Sequence, residues 1–394
     1  MTQSNVRPRS VLLVVGETSA DRYGARLVRK LRALCGEKTV CFFGTGGDEM
    51  REAGVEIVCH IRDLATIGPR EAIYHLLRYY RTFQLLTDAC RERRPHVAVL
   101  LDFPEFNLRL AKRLKRLGIK VIYYISPQLW AWRRGRIRIV RQYVDRMLVI
   151  LPFEEEYYRV RGVKVDFVGH PLLEDFVVDG DRESFLRDLG LDPSLKTIAL
   201  LPGSRRREVD YILPTLLEAS LEILRRLPAQ FLISVAPAIE TSQVIRIASK
   251  VLGQNRQRDC FRIVPAAARR ILANSDFGLI KSGTSTLEAA LVGTPFLITY
   301  RISPLSWCLG NILIRSPYKG LVNLIAKEEI VPEYLQREAT PEALARAAVQ
   351  YLEMPEKAAA MRARLAGIRD VLGSRCASDT AAALVAEYLE GNEC

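Results

Sequence analysis

The sequence lacks the patterns that mark most metal, disulfide and dinucleotide sites. Its eight cysteines contain no C-x-x-C pair, and its four histidines show no H-E-x-x-H or other metal-ligand spacing. We therefore predict a reduced, cytosolic protein with no metal site and no cofactor. The turn after the first apolar run is neither G-x-G-x-x-G nor a Walker phosphate loop, which argues against those two nucleotide sites.

Long hydrophobic runs are also missing. No stretch reaches the roughly 20 apolar residues that a membrane-spanning helix needs. Residues 1–9 are polar, and the first apolar run, Val11–Val15, is short, so nothing at the start resembles a secretory signal. Any contact with a membrane is expected at its surface.

Negative charge is in short supply. The 394 residues carry 58 Lys and Arg against 45 Asp and Glu, a net charge of +13. Such a surface attracts nucleic acid, acidic lipid or phosphorylated substrates, and charge alone does not choose among them. A hydrophobic content of 49% suits two or three globular domains with cores of their own.

Short apolar runs alternate with helical patterns along most of the chain. This alternation predicts parallel sheets and the α/β class, with two Rossmann-like, doubly wound domains facing a cleft. We place the first domain at 1–175 and the second at 176–370, with a C-terminal helix in 371–394 that packs on either. The predicted strands are Val11–Val15, Val40–Phe43, Val55–Val58, Val97–Leu101, Val121–Ile125, Met147–Ile150, Val165–Val168, Ile198–Leu201, Gln230–Val235, Phe261–Val264, Phe277–Ile280 and Pro295–Thr299.

Two strand-to-helix turns in the second half have the composition of anion sites. In the first, Ser204 follows a strand and is expected to cap the next helix, with Arg205 able to form a bidentate fork. In the second, residues 281–286 (KSGTST) lead into a helix that carries Glu288. Either turn alone also fits a capped helix with solvated side chains. Together they favour a phosphate-bearing ligand at the carboxyl ends of strands.

The first half offers two acidic turns. Residues 16–21 (GETSAD) follow the first strand, and the carboxylate of Glu17 suits a hydroxylated group better than a pyrophosphate. Asp102 ends an apolar strand, where a raised pKa and general-base work are expected. The alternatives are that Ser19 and Asp21 cap the first helix, and that Asp102 caps the helix that Pro104 begins.

Aromatic and basic residues concentrate in three stretches. Trp130 and Trp132 lie beside a run of arginines that starts at Arg133, which fits sugar or base stacking as well as a solvated helix face. The stretches Ala72–Leu86 and Leu305–Ile314 are apolar and aromatic. Core packing accounts for such stripes, and so does insertion beside acidic lipid headgroups.

Eight stretches, which span most of the chain in order, carry recognisable motifs. They are GETSAD (16–21), LLDFPEFN (100–107), YISPQLWAWRRGRI (124–137), LPFEEEYY (151–158), FVGHPL (167–172), LLPGSRRREV (200–209), KSGTSTLEAALVGTP (281–295) and LVNLIA (321–326). These stretches resemble the lipid-A-disaccharide synthase family, glycosyltransferases of the two-Rossmann-domain GT-B type, and WAWR, LPGSRxxEV and SGTSTLE together are highly specific. One departure is Ala20, which replaces the glycine common in the family and stiffens the first turn.

The resemblance implies an inverting, metal-independent transfer. A 2,3-diacylglucosamine unit moves from its UDP derivative to 2,3-diacylglucosamine 1-phosphate (lipid X). The products are UDP and the β-1,6-linked disaccharide 1-phosphate precursor of lipid A. The resemblance also implies a peripheral position on the cytoplasmic face of a Gram-negative inner membrane, reached through basic and apolar patches. The acyl-chain length and the oligomeric state, a homodimer included, stay open.

The resemblance also assigns roles to residues. Asp102 matches the base that deprotonates the acceptor 6-hydroxyl, and Arg205 matches the arginine that neutralises the departing UDP. Glu288 is implied to hold the ribose hydroxyls, and Asn323 lies on the nucleotide side. The remaining UDP-binding matches are Ser204, Ser282, Gly283 and Thr284; the acceptor side is assigned Glu17, Ser19, Asp21, Trp130 and Arg133.

Two alternatives remain at this point. Another GT-B enzyme, such as the glucosaminyltransferase of peptidoglycan assembly or a UDP-sugar epimerase, predicts the same UDP site, but the SPQLWAWR segment argues against it. A nucleic-acid-binding protein fits the net charge of +13. It does not account for the paired phosphate turns and lacks aromatic platforms beyond Trp130 and Trp132, so we expect no nucleic-acid partner.

Overall fold

Two parallel sheets organise the chain. The computed structural model describes residues 9–36, 39–64, 72–130, 134–174, 176, 180–253, 256–301 and 318–390. Contacts within the chain divide it into two compact units, Met1–Glu174 with Leu372–Cys394, and Asp175–Val371.

The first unit is built on a seven-stranded parallel sheet of order β3-β2-β1-β4-β5-β6-β7. Its strands are β1 (Arg9–Val14), β2 (Val40–Gly46), β3 (Glu56–His60), β4 (Val97–Leu101), β5 (Lys120–Tyr124), β6 (Arg146–Val149) and β7 (Val165–Phe167). Its helices up to residue 174 include α1 (Thr18–Cys35), α2 (Asp48–Glu52), α3 (Ala72–Arg93), α4 (Pro104–Arg116), α5 (Ile137–Tyr143) and α6 (Pro152–Arg159).

The second unit is built on a six-stranded parallel sheet of order β10-β9-β8-β11-β12-β13. Its strands are β8 (Lys196–Leu201), β9 (Ala229–Val235), β10 (Phe261–Pro265), β11 (Phe277–Lys281), β12 (Phe296–Tyr300) and β13 (Glu333–Leu335). Its helices include α7 (Arg182–Asp188), α8 (Arg206–Leu224), α9 (Thr241–Leu252), α10 (Ala268–Ala273), α11 (Thr284–Val292), α12 (Leu321–Ala326), α13 (Pro341–Glu353) and α14 (Pro355–Leu372), and α15 (Ala377–Glu390) follows it.

Burial on both faces accounts for the apolar character of the strands. In β1, Val11 and Leu13 belong to one core cluster, and Leu12 and Val14 belong to another. All four side chains are fully buried. Parallel sheets covered by helices on both faces select such continuous apolar runs instead of an alternating pattern.

Each sheet reverses its strand order once, and this reversal places the candidate sites. The reversal lies between β1 and β4 in the first unit and between β8 and β11 in the second. In open parallel sheets, ligands bind outside the carboxyl ends of the strands at such a point. Glu17 and Asp102 follow the two strands in the first unit, and Ser204 and Ser282 follow those in the second.

The last helix, α15, belongs to the core of the first unit. Ala381 and Val385 are fully buried in the same cluster as residues of α1 and β1. The backbone N–H and the hydroxyl of Ser378 donate hydrogen bonds of 2.6 and 2.5 Å to Glu174. The chain therefore returns to its first unit after completing the second.

We predict that Val385→Ala destabilises the first unit by about 1.5–3 kcal/mol, because it removes buried methyl groups and leaves a cavity. Val160→Ala is the matched control, since Val160 is 64% exposed in the same unit, and its effect should stay within about 0.5 kcal/mol. Hydrogen exchange of β1 amides in increasing urea measures both values. Equal effects of the two substitutions would contradict the placement of α15 in this core.

Candidate active site

The β8–α8 turn of the second unit presents a helix N-terminus flanked by arginines. Helix α8 begins at Arg206, with Arg205 at its N-cap and no side-chain capping hydrogen bond. Ser204 and Arg205 are exposed. A helix N-terminus of this kind favours an anion through its free N–H groups and its dipole.

The predicted capping role of Ser204 is wrong. The helix starts two residues later, and Glu208 reaches back from its first turn to accept a 3.2 Å hydrogen bond from the Ser204 N–H. Gly203 makes this possible: its φ is +123°, and a Cβ there would lie 2.6 Å from the Glu208 carboxylate. An acidic residue at the third helical position is a sequence signal for such a reach, so Glu208 was identifiable from the sequence.

An ion pair connects this turn to the second one. Lys281, at the end of β11, places its Nζ 2.9 Å from Glu208 Oε1, and both side chains are largely buried. The same ammonium lies 5.6 Å from the centre of the Tyr300 ring, and burial raises the pKa of Tyr300. The Glu208 carboxylate therefore faces two cations, Lys281 at 2.9 Å and the Arg205 guanidinium at 4.0 Å from Oε1. The net charge of these three side chains stays positive, so the turn still attracts an anion.

The β11–α11 turn supplies a second helix N-terminus in the same unit. Gly283 is the N-cap of α11, and Thr284 is its first residue and is exposed. The Ser282 hydroxyl donates a 3.1 Å hydrogen bond to the Lys319 carbonyl, and the Thr286 hydroxyl donates one of 2.7 Å to the Gly283 carbonyl. These bonds fix the turn and leave Thr284 at its surface.

Glu288, the predicted ribose ligand, lies one turn into α11. Its Oε1 accepts a hydrogen bond of 3.1 Å from Nε of Arg269 on α10. The guanidinium of Arg269 also lies 5.3 Å from the centre of the Phe176 ring. Glu288 is thus held in a fixed orientation, with 18% of its side chain exposed.

Asn323, predicted on the nucleotide side, makes its side-chain hydrogen bonds within its own unit. It is fully buried, and its amide donates to the Val331 carbonyl and to Glu333. Its oxygen accepts from the N–H groups of Ile330 and Val331. With these bonds the side chain has no capacity left for a nucleotide, so its role is to hold Glu333, which accepts from the Gly320 N–H at 3.0 Å.

In the first unit, the turns after β1 and β4 pack directly on each other. A Cβ on Gly16 would overlap the Phe103 ring, so the glycine permits this approach. Phe103 stacks on Phe106 at 5.4 Å between ring centres. Glu17 is exposed above this contact, and its charge adds to burial in raising the pKa of Tyr79.

Asp102 occupies a strained backbone conformation. Asp102 and Phe103 have φ of +46° and +50°, and each left-handed non-glycine residue costs about 1–2 kcal/mol. The Asp102 carbonyl accepts hydrogen bonds of 2.5 Å from the Tyr123 hydroxyl and 2.8 Å from the Asn107 amide. Both donors belong to buried residues, and burial keeps Tyr123 protonated by raising its pKa.

The alternative of a helix-capping Asp102 is not what the structure has. Phe103 is the N-cap of α4, Pro104 is its first residue, and no side-chain capping bond is present there. The Asp102 side chain is half-buried. Backbone strain held by buried partners is typical of functional positions, which makes this carboxylate a catalytic candidate.

Ser19 and Asp21 do not cap the first helix either. Glu17 is the N-cap of α1, and Ser19 is exposed in its first turn. Asp21 is 3% exposed, and its two oxygens accept from the N–H groups of Gly47 and Glu49 at 2.5 and 3.1 Å. Asp21 therefore fixes the start of α2, and its burial argues against the predicted contact with an acceptor.

Trp130 lies at the end of the segment that follows β5. Its indole N–H donates a 2.9 Å hydrogen bond to buried Glu154, and its ring packs edge-on against Phe153 at 5.0 Å. Arg136 pairs with Glu105 at 2.6 Å. Trp132 and Arg133, like the stretch Leu305–Ile314, lie outside the described residues.

The described residues contain neither a metal-binding cluster nor a membrane-spanning helix. No group of three or more His, Cys, Asp or Glu side chains there is arranged to hold a metal ion. Among the helices of those same residues, none combines the length and hydropathy that crossing a membrane requires.

We predict that Lys281 and Glu208 are energetically coupled. Removing either partner leaves a largely buried charge, so Lys281→Met or Glu208→Gln alone should destabilise the second unit by about 3 kcal/mol. The double variant should recover about 1–3 kcal/mol of the summed cost. Glu222 near the end of α8 and Arg225 at its C-cap, with 25% and 69% of their side chains exposed, serve as the control cycle with about 0.5 kcal/mol or less. Additive effects at Lys281 and Glu208 in urea unfolding would refute the coupling.

Comparison with known proteins agrees with this architecture. The Neisseria meningitidis UDP-GlcNAc 2-epimerase, solved with UDP-GlcNAc, has a TM-score of 0.63 at 13% identity over 97% of this chain and 100% of its own. The calicheamicin glycosyltransferase CalG4 has a TM-score of 0.60 at 15% identity over 98% of this chain and 100% of its own. The predicted α/β class with two Rossmann-like GT-B domains is confirmed.

Sequence comparison distinguishes among the enzymes of this fold. The lipid-A-disaccharide synthase of Koribacter versatilis (strain Ellin345) is 40% identical over 373 residues, 94% of this chain and 95% of its own. The family model for lipid-A-disaccharide synthetase matches residues 11–385. The chain therefore belongs to the lipid-A-disaccharide synthase family, the glycosyltransferases of lipid A biosynthesis.

Proposed function

We propose that Asp102 and Arg205 are the catalytic residues with which this chain performs its family's reaction. The substrates are UDP-2,3-diacylglucosamine and 2,3-diacylglucosamine 1-phosphate. Asp102 removes the proton of the acceptor 6-hydroxyl while that oxygen attacks the anomeric carbon of the donor. The bond from that carbon to UDP breaks, the configuration inverts, and the negative charge leaves on UDP.

The position of Asp102 supports the role of base. Its carboxylate is half-buried at the end of β4, and its backbone is held in a strained conformation by Tyr123 and Asn107. A backbone held in this way limits the positions that the carboxylate can occupy, so less freedom is lost when the acceptor arrives. Glu17 and Ser19, exposed on the adjacent turn, are proposed as acceptor contacts together with Trp130, and Arg133 is proposed from the resemblance alone.

The two helix N-termini of the second unit support the UDP site. This pair of turns, joined through Lys281 and Glu208, is the observation that carries the proposal. Arg205 and the N–H groups of the α8 turn offer positive charge to the diphosphate, with Ser204, Ser282, Gly283 and Thr284 around it. Glu288 is assigned to the ribose hydroxyls, and Asn323 supports the site without touching the nucleotide.

We predict different kinetic consequences for the two catalytic residues. Asp102→Asn should keep the Kd for UDP within about twofold and lower kcat by about 10²–10⁴, because only proton removal is lost. Arg205→Ala should weaken UDP binding about tenfold or more and lower kcat as well. A mixed-micelle assay with both lipid substrates measures turnover, and calorimetry measures UDP binding.

Two exposed residues provide matched controls for this experiment. Asp88→Asn changes a surface carboxylate paired with Arg91, and Arg225→Ala changes a surface arginine paired with Glu222. Both should retain wild-type turnover. Unchanged turnover in Asp102→Asn would remove Asp102 from the role of base, and unchanged UDP affinity in Arg205→Ala would remove Arg205 from the UDP site.

A basic groove on the first unit supports a peripheral position on the cytoplasmic face of the inner membrane. It lies between α3 and α4, has a volume of about 440 Å³ and is lined by Phe83, Gln84, Arg109, Lys112, Arg113 and Arg116. Farther along α3, Leu77 and Tyr80 are 61% and 63% exposed. Clustered cations beside exposed apolar side chains suit an anionic lipid surface.

We predict that Arg109→Glu with Arg116→Glu weakens binding to phosphatidylglycerol vesicles by at least about tenfold, since each basic residue near such a surface contributes about 1 kcal/mol. Vesicle cosedimentation at low salt measures the change. Arg362→Glu with Arg369→Glu, two exposed arginines of α14, makes the same change in charge on the second unit. Equal losses in both double variants would assign the binding to net charge instead of the groove.

A further inference from the structure

The proposed mechanism does not use one buried carboxylate, Glu154. This side chain is 2% exposed on α6. Its Oε1 accepts hydrogen bonds of 2.8 Å from the Ser126 hydroxyl and 2.9 Å from the Trp130 indole N–H. Its Oε2 accepts a weaker bond of 3.3 Å from the Leu151 N–H. Only the bond from the Leu151 N–H stabilises the start of α6 itself. The other two bonds connect Glu154 to the segment that follows β5.

Helix α6 holds the segment 126–130 at further points. The Tyr158 hydroxyl donates to the Pro127 carbonyl at 2.7 Å, and the Tyr157 hydroxyl donates to the Leu129 carbonyl at 3.0 Å. Phe153 packs against the Trp130 ring. The two tyrosines bind only backbone carbonyls of the segment. Glu154 is the residue of this helix that forms a hydrogen bond with the Trp130 side chain and so sets the direction of the indole.

We propose that Glu154 is a positioning residue that holds the indole of Trp130 in the orientation in which it meets the acceptor sugar. The inference rests on the proposed function, in which Trp130 lies on the acceptor side. An indole ring offers a rigid apolar face for the C–H groups of a sugar, and its use depends on its orientation. Glu154 fixes that orientation through the one polar atom of the ring, Nε1.

The charge of Glu154 makes the effect dependent on pH. Burial raises the pKa of this carboxyl to about 7, while the bonds from Ser126, Trp130 and Leu151 act in the opposite direction. Bonds that lower a pKa are stronger to the ionised form, so ionised Glu154 holds Trp130 more firmly than protonated Glu154. Tyr158 is a titratable group beside it, and burial and the charge of Glu154 both raise the Tyr158 pKa, which keeps Tyr158 protonated. Tyr157 lies next to Tyr158 and donates its hydroxyl to the Leu129 carbonyl.

The test compares the Michaelis constants of the two substrates across pH 5.5–8.5. In the wild type, KM for the acceptor should rise by about three- to tenfold as pH falls through 7, whereas KM for the UDP-sugar should not follow it. Glu154→Gln keeps an acceptor for the indole N–H but cannot ionise, so this step in the acceptor KM should disappear. Glu156→Gln, an exposed position on the same helix, should keep the wild-type profile.

Trp130→Phe provides the second variant, because it removes the N–H donor while keeping an aromatic ring. Its acceptor KM should be about three- to tenfold higher at pH 8, the size expected for losing one oriented contact, with no step near pH 7. An unchanged acceptor KM in both variants, or equal changes in both KM values, would overturn the inference. Loss of folding in Glu154→Gln leaves Trp130→Phe to decide it.

Trp130 emission separates this inference from the proposed function. The difference between wild-type and Trp130→Phe fluorescence should titrate near pH 7 and should change when the acceptor lipid is added without UDP-sugar. A wild-type protein that forms no disaccharide would defeat the proposed function. In that case, a Trp130 signal that ignores both pH and the acceptor would overturn the positioning role as well, and a signal that responds to both would uphold it.

Discussion

The ion pair between Lys281 and Glu208 is the interaction on which the proposed nucleotide site of the second unit depends. It joins the ends of β8 and β11, the two strands between which the sheet of the second unit reverses its order. Both side chains are largely buried, so their attraction is screened far less than that of a surface pair. Glu208 also binds the Ser204 N–H. A single carboxylate thereby fixes the β8–α8 turn and ties it to the β11–α11 turn. Lys281 and Arg205 both pair with that carboxylate, which reduces its repulsion of the phosphate proposed to bind there.

In the first unit, the corresponding two turns are fixed by ring packing and by hydrogen bonds to a backbone carbonyl instead of by an ion pair. Its two turns meet through Gly16 and Phe103, and the strain at Asp102 is opposed by hydrogen bonds from Tyr123 and Asn107. The two left-handed residues, Asp102 and Phe103, together cost about 2–4 kcal/mol of folding free energy, more than one ring contact contributes. The hydrogen bonds from two buried donors to the Asp102 carbonyl and the stacking of Phe103 on Phe106 together stabilise the connection by a similar amount. The strain is therefore a property of the whole β4–α4 connection.

Much of the fold was predictable because apolar runs of four or more residues between helical patterns are typical of strands buried on both faces. β13 was missed, since its three residues, Glu333–Leu335, are half-buried and carry no such run. Site chemistry was harder to predict. The residue types at Asp102 and Arg205 pointed to chemistry, but the capping role of Ser204 and the nucleotide contact of Asn323 depend on where a helix starts and which carbonyls lie nearby. Tertiary contacts determine the helix start and the partners of Asn323, and residue spacing along the chain does not predict those contacts.

The two units share one topology and differ in the charge at the point where the sheet reverses. The first offers Glu17 and Asp102 there, whereas the second offers Arg205, two further arginines and Lys281 against the single carboxylate of Glu208. Glycosyl transfer to a hydroxyl needs both signs of charge, because a proton must leave the acceptor while negative charge grows on the diphosphate. An acidic turn that also faced the diphosphate would raise the cost of that charge by several kcal/mol at low dielectric. In the proposed mechanism the base lies on one Rossmann-like unit and the cations lie on the other, which avoids this conflict and gives a physical reason for two copies of the same fold in one chain.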